Sequence, residues 1–314
     1  MDFGKKKVAI VGTGFVGASI AYALVVRDIA RELVLINRHP EKAIGEAKDI
    51  RHGIPGLGTA NVYAGDFSDC VDCDLIILTV GRNRRPGESR LDLAEENVAM
   101  MQPIVEKIRQ YYTRGAILII TNPVDIVTHK VSEWMGLPNG TVFGSGCTLD
   151  TSRFVRQIAD YVGMSTGFVN GFIVGEHGDH QVPIWSKVTV GGMPIYDYCE
   201  NVGLRWDQSI QDSIALKTRS MGAEIIGAKG KTHYGIATCV CSIANAVLNQ
   251  IPTIASVCTL LEGEMGISGV TLSLPSIIGA GGVHMRLRER WTEEENRALL
   301  VAADNLRAAL AQLG

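Results

Sequence analysis

Residues 8–17 read Val8-Ala9-Ile10-Val11-Gly12-Thr13-Gly14-Phe15-Val16-Gly17, and this stretch decides the fold. Val8 to Val11 is a short apolar run, which suits a buried strand. Gly12, Gly14 and Gly17 then form a G-x-G-x-x-G pattern, and Ala18 to Val26 continues with helical character. Strand, glycine turn and helix is the context in which this pattern binds a dinucleotide. Gly12 makes the tight turn, Gly14 lets backbone approach a pyrophosphate, and Gly17 lets the helix pack on the strand. The helix N-terminus then faces the phosphates.

The same region allows a different reading. Lys5-Lys6-Lys7 precedes nineteen uncharged residues, Val8 to Val26, the order found in a secretory leader. The three spaced glycines and the lack of a clean small-residue cleavage site favour strand, turn and helix. No other stretch could span a membrane, so no membrane association is expected. The 314 residues suffice for one large domain or two ordinary ones. Apolar residues make up 46% and charged residues 20%, a globular composition, and the net charge of −3 offers no nucleic-acid face. The seven cysteines have irregular spacing. Cys70 and Cys73 lack the second matched pair that a zinc site needs, so no metal is expected and a reducing cytoplasm fits best.

Outward from the opening strand, further strands are expected at Leu33–Ile36, Leu75–Val80 and Ala116–Thr121, with helices between them, including Leu91–Tyr112. Alternating strands and helices predict a Rossmann-type, doubly wound parallel sheet, with ligands at the carboxyl ends of its strands. Gly12, Asn37, Gly81 and Asn122 all fall there. Asn37 stands where an acidic residue would bind the adenosine ribose. In an NAD site this is a neutral exchange. The alternative is relaxed preference toward NADP, because Asn37 does not repel a 2′-phosphate and Arg38 could attract one.

Residues 81–90 carry Arg82, Arg84, Arg85 and Arg90 around Pro86-Gly87. A solvated basic loop is the plain reading, but its place beside the crevice favours a lid, about 81–93, that brings cations over an anionic substrate. Composition shifts near Gly144-Ser145-Gly146, dividing a dinucleotide-binding domain, 1–145, from an α+β catalytic domain, 146–314. In the second half, strands are expected at Phe168–Val174 and Lys187–Val190, a helix at Asp207–Gly227, and antiparallel strands at Val257–Leu261 and Val270–Leu274. Thr292 and Glu295 form a capping box for the last helix.

Asp150 and Arg153 share a helix face, either as a surface ion pair or pointing into a cleft. Gly175-Glu176-His177-Gly178-Asp179-His180 places an imidazole where it could carry a proton. Asp150 could fix the tautomer of His177, Arg153 could grip a substrate carboxylate, and Arg90 could polarise a carbonyl as charge develops on its oxygen. Oxidation of a 2-hydroxy acid to a 2-oxo acid uses each of these parts.

With these residues assembled, the whole chain resembles the lactate/malate dehydrogenase family. The resemblance is carried by Val11–Gly17, Arg90-Leu91-Asp92-Leu93, Thr121-Asn122-Pro123-Val124-Asp125, Gly144 through Phe154, and Gly175–Asp179. It implies NAD as cofactor, with Gly12, Gly14, Phe15, Val16, Gly17, Asn37, Gly81, Arg82, Asn122 and Ser145 around it. It also implies His177 as acid/base, Asp150 as its partner, Arg153 on the carboxylate, Arg90 on the carbonyl, Asn122 and Thr232 at the substrate, and a homodimer or homotetramer. The position matching Arg84 sets the substrate side chain: lactate enzymes of the family carry Gln there and malate enzymes Arg. Thr232 and Ile236 nevertheless look lactate-like, as does most of the chain. Lactate/pyruvate is therefore the first expectation and malate/oxaloacetate the alternative. Family members activated by fructose 1,6-bisphosphate use an Arg and a His where this chain has Val155 and Asn170, so no such activation is expected.

Competing classes lack their parts. A short-chain dehydrogenase or epimerase needs Tyr with Lys four residues on, and none of the eight tyrosines has it. A metal hydrolase built on His177 and His180 needs a helix that Gly175 and Gly178 would break. A dinucleotide sensor without activity would have no use for Asp150, Arg153 and His177 together.

Overall fold

The computed structural model describes residues 6–56, 58–83, 87–88 and 90–313, and for Arg90 the backbone alone. Arg84 therefore lies outside the described residues, as does the side chain of Arg90. The chain begins β1 (Lys7–Val11), α1 (Phe15–Val26), β2 (Glu32–Ile36), α2 (Pro40–Gly53), β3 (Asn61–Ala64), β4 (Leu75–Leu78) and α3 (Arg90–Tyr111). It continues with β5 (Ala116–Ile119), α4 (Val124–Met135) and β6 (Val142–Gly144). These strands pair in parallel in the order β3-β2-β1-β4-β5-β6. The apparent leader, residues 8–26, is thus a strand, a turn and a helix. Among the described residues no helix is long and apolar enough to cross a membrane.

Alternation along the strands builds two cores, because successive side chains leave opposite faces of the sheet. Val8, Ile10, Leu33, Leu35, Leu75 and Ile77 face one layer of helices. Ala9, Val11, Val34, Ile36, Ile76 and Leu78 face the other. Both faces are covered, which is why the strands read as unbroken apolar runs.

The second half contributes α5 (Thr148–Val162), β7 (Val169–Asn170), β8 (Ile173–Gly175), β9 (Gln181–Pro183), β10 (Thr189–Val190), β11 (Met193–Pro194) and α6 (Ile195–Val202). Then follow α7 (Gln208–Lys229), α8 (Tyr234–Asn249), β12 (Thr253–Glu262), β13 (Ser268–Gly279), β14 (Gly282–Arg286) and α9 (Glu293–Gln312). β12 pairs antiparallel with β6 through Cys258 and Gly144, and the sheet runs on through β13 to β8 and β9. One sheet therefore crosses both halves. Moreover, α8 lays Ala237, Val240, Ala244 and Val247 into the core under β1 and β4.

Three expectations change. The strand expected at Phe168–Val174 is two: β7 joins a small sheet with β10 and β11, and β8 joins the large one. The break falls at Gly171, where a Cβ would lie 3.0 Å from the Phe154 ring. The strand expected at Lys187–Val190 shortens to β10, preceded by a 3-10 turn at Trp185–Lys187. Arg90 opens α3, so the end of the expected lid is helical. The capping box forms as expected, with Thr292 Oγ1 accepting from Glu295 N at 3.2 Å and Glu295 Oε2 accepting from Thr292 N at 2.9 Å.

The three glycines of the opening motif do different work. Gly12 has φ +102°, and a Cβ on Gly17 would lie 1.9 Å from the Gly12 carbonyl oxygen. Around Gly14 an added Cβ would meet nothing within 4 Å. Gly17→Ala is therefore expected to lose at least ~1–3 kcal/mol in urea unfolding through overpacking. Gly14→Ala is expected to cost no more than about 1 kcal/mol, as for a mild change at a helix cap. Equal losses for the two variants would contradict this packing account.

Candidate active site

Two adjoining cavities open at the carboxyl ends of the parallel strands. The first, about 500 Å³, is lined by Gly12, Thr13 and Gly14, by Asn37 and Arg38 after β2, and by Gly81 after β4. The second, about 270 Å³, includes Asn122, Ser145, Arg153, His177 and Thr232 in its walls. Thr79, Gly81 and Arg82 border both, so the cavities form one crevice.

The first cavity fits a dinucleotide. Gly14 is the N-cap of α1 and makes no side-chain cap bond, and no acidic residue occupies the first turn. The positive end of the helix and the open space at Gly14 together suit a pyrophosphate. Thr79 Oγ1 donates to the Gly12 carbonyl at 2.6 Å, fixing the turn. Asn37 is held between neighbours, donating from Nδ2 to Thr13 Oγ1 at 2.7 Å and accepting from His39 N at 3.0 Å. Phe15 is 62% exposed and its ring lies 3.2 Å from Lys231 Nζ. Its side chain lines a separate surface hollow with Ser19 and Tyr22, whereas Val16 lines the second cavity.

Behind the wall of the second cavity Asp150 lies between two partners that line it, His177 and Arg153. Its Oδ2 is 2.5 Å from His177 Nδ1 and its Oδ1 accepts from Arg153 Nη1 at 3.3 Å. Asp150 and Arg153 are not a surface ion pair, with side chains only 5% and 11% exposed; Arg153 lines the cavity and Asp150 is buried behind it. α5 supplies both residues at an i,i+3 spacing, while His177 follows β8. Gly222 on α7 leaves room beside the guanidinium, where an added Cβ would lie 3.6 Å from Arg153 Nη1. His180 turns to Glu176, with its Nδ1 2.7 Å from Oε2, and does not line the crevice.

The electrostatics follow from this pairing. Burial alone would raise the pKa of Asp150, but the His177 and Arg153 charges outweigh it and the carboxyl sits below its usual range. Burial would lower His177, yet the charge and hydrogen bond of Asp150 prevail and lift the imidazole above 6.5. The pair therefore favours imidazolium more than an unpaired imidazole would.

Two residues with no role assigned from sequence complete the setting. Asp125 on α4 accepts from the backbone N–H of His177 at 2.8 Å. Burial pushes its pKa up to about 7, against the opposing influence of His177. Asn97 on α3 is fully buried. It accepts from Arg82 N at 3.0 Å and donates to the Asn122 carbonyl at 2.6 Å, tying the ends of two strands together. Its signal in the sequence was a lone amide in the apolar stripe Leu93, Ala94, Met101, Val105 and Ile108. Arg82 itself is paired with Glu88 and Glu96. The seven cysteines are buried and unbridged. Burial pushes the thiols of Cys70 and Cys73 up to about 12, consistent with inert packing.

A glycine turn on a parallel sheet, beside an imidazole held by a buried carboxylate, is the arrangement of a nicotinamide-dependent dehydrogenase. Residues 6–144 match the family described as lactate/malate dehydrogenase, NAD binding domain, and residues 147–313 match its alpha/beta C-terminal domain. The chain belongs to the lactate/malate dehydrogenase family and is an NAD-dependent dehydrogenase. It is 42% identical to an L-lactate dehydrogenase of Priestia megaterium, over 96% of this chain and 95% of that one. It is 36% identical to an L-lactate dehydrogenase of Acetivibrio thermocellus, over 98% and 97%. Among solved structures, the minor L-lactate dehydrogenase of Enterococcus mundtii in its ligands-bound form superposes with a TM-score of 0.95 at 38% identity, covering 99% of both chains.

The His177–Asp150 pairing has a direct test that needs no substrate. In an NMR titration of the imidazole, His177 is expected to titrate above 6.5, and Asp150→Asn is expected to move that midpoint down. An unchanged midpoint in the variant would remove Asp150 as the cause.

Proposed function

We propose that this chain interconverts pyruvate and L-lactate, with His177 as the acid/base. The observation that carries the reading is Asp150, a buried carboxylate that holds His177 and Arg153 side by side in one cavity wall. The named relatives, all L-lactate dehydrogenases, support lactate over other 2-hydroxy acids. NADH, when bound, supplies the hydride, so the protein must supply the proton. His177, whose protonated form Asp150 stabilises, gives its Nε2 proton to the carbonyl oxygen of the 2-oxo acid and takes it back in the reverse direction. Arg153 holds the substrate carboxylate with two parallel hydrogen bonds, worth ~1.5–3 kcal/mol. Arg90 polarises the carbonyl, and Asn122 and Thr232 border the substrate. The backbone at Gly12 to Gly17, with Asn37, Gly81, Arg82 and Ser145, holds the cofactor.

Several coarser features belong to the same proposal. Residues 1–145 bind the cofactor, residues 146–314 carry the proton-transfer machinery, and the loop from Gly81 acts as a lid. The protein works in a reducing cytoplasm as a homodimer or homotetramer. It needs no fructose 1,6-bisphosphate, since Val155 and Asn170 offer no cation for a sugar phosphate.

A second reading, malate/oxaloacetate, rests on Arg84. An arginine at that position can pair with the second carboxylate of oxaloacetate. In water it can also stay solvated when pyruvate binds, whereas a buried, unpaired arginine would cost ~3–5 kcal/mol. Comparison of kcat/KM for the two substrates with NADH decides between the readings. Pyruvate is expected to be preferred, and a preference for oxaloacetate of about tenfold or more would replace lactate by malate. Arg84→Gln is expected to lower oxaloacetate turnover selectively, and equal losses on both substrates would limit Arg84 to shaping the loop. His177→Asn is expected to lower kcat by ~10²–10⁴-fold while NADH binding persists. Near-normal kcat in that variant would refute the proton-transfer role.

A further inference from the structure

Building on the NAD-linked reading, we propose that the adenosine end of the crevice also accepts a 2′-phosphate, so that the enzyme binds NADPH as well as NADH. The first support is what Asn37 does. A carboxylate at the end of β2 would repel a phosphate there, but Asn37 carries no charge. Its amide is drawn back onto the protein, donating to Thr13 Oγ1 at 2.7 Å and accepting from His39 N at 3.0 Å. The residue that would have excluded the phosphate is therefore neutral and held against the turn.

The second support is the rest of the wall. Arg38, His39 and Lys42 line the cavity from the β2–α2 connection and the first turn of α2, and Lys107 lines it from α3. Among the described residues no carboxylate lines this cavity. Arg38, Lys42 and Lys107 are all exposed, so their heads can turn to a ligand. Lys107 Nζ stands 5.3 Å from the centre of the Phe67 ring, and Phe67 also lines the cavity.

The third support is α2 itself. Its N-cap, His39, makes no side-chain cap bond, so the positive end of a helix of 14 residues adds to the cationic wall. Glu41 is the one opposing charge in that first turn. Its carboxylate is 79% exposed, lies 3.9 Å from His39 Nδ1 and does not line the cavity. A phosphate monoester carries close to two negative charges at neutral pH, and guanidinium and ammonium groups are its usual partners. Around the ribose the crevice thus offers cations without a repelling carboxylate.

Equilibrium titration of the full-length protein by nucleotide fluorescence, with NADH and with NADPH, tests this without turnover. In the wild type the NADPH Kd is expected to lie within about tenfold of the NADH Kd. Asn37→Asp is expected to raise the ratio of the NADPH Kd to the NADH Kd by about tenfold or more, the effect of one charge-assisted contact. Arg38→Ala is expected to weaken NADPH selectively, and NADPH binding is expected to be the more salt-sensitive. NADPH binding more than about tenfold weaker than NADH in the wild type would overturn the proposal and leave the NAD-linked reading intact. So would an NADPH-to-NADH ratio unmoved by Asn37→Asp. Failure of the wild type to bind either nucleotide would overturn both.

Discussion

The crevice depends on how closely the strand ending at Gly144 approaches β12 and β13. A Cβ on Gly144 would lie 2.5 Å from Cys258 Sγ and 2.4 Å from Thr128 Oγ1. A Cβ on Gly146, which has φ +49°, would lie 2.3 Å from Ser273 Oγ and 2.7 Å from Cys258 N. Backbone alone fits between these walls. That contact lets Gly144 pair with Cys258 and lets Cys147 N donate to Ser273 Oγ at 3.1 Å. Ser273 in turn pairs with Gly175, two residues before His177. The glycine-turn side and the His177 side of the crevice are thereby placed by one hydrogen-bonded sheet.

Within that frame, burial acts on two carboxylates with opposite results. Asp150 has a cation on each oxygen, and pairing overcomes desolvation. Asp125 receives the neutral backbone donor of His177, and desolvation wins. Their environments, not their residue type, separate the two groups. The closeness of Asp150 to His177 also makes both partners expensive to lose, since an uncompensated buried charge typically costs ~3–5 kcal/mol.

Much of this was legible in the sequence because local rules carried it. The apolar run at Val8–Val11, the glycine spacing and the Thr292/Glu295 box each act over a few residues, and each formed as read. The pairing of Asp150 with Arg153 followed from helix periodicity, although only the fold turned it inward. What the sequence hid was short or long-range. β3 reads Asn61-Val62-Tyr63-Ala64 with only Val62 buried and β6 is the three-residue Val142-Phe143-Gly144, so neither shows the four-residue apolar run of β4 and β5. The split falls at Gly171, which lies close against Phe154, a residue of another element. Asn97 could be seen as an amide out of place on an apolar face, but its partners, Arg82 and Asn122, lie on other segments. Asp125 stood inside a quoted motif, and only the turn after β8 brought the His177 N–H to it.

The position of α8 has a consequence for how such a protein can be taken apart. Ala237, Val240, Ala244 and Val247 cover the same face of the sheet as Ile20 and Leu24 of α1. Residues 6–144 on their own would leave the part of that apolar face under α8 bare to water. The cofactor-binding half is consequently not an interchangeable cartridge. A chimera that grafts it onto another C-terminal half must carry α8 along, or redesign the surface that α8 seals.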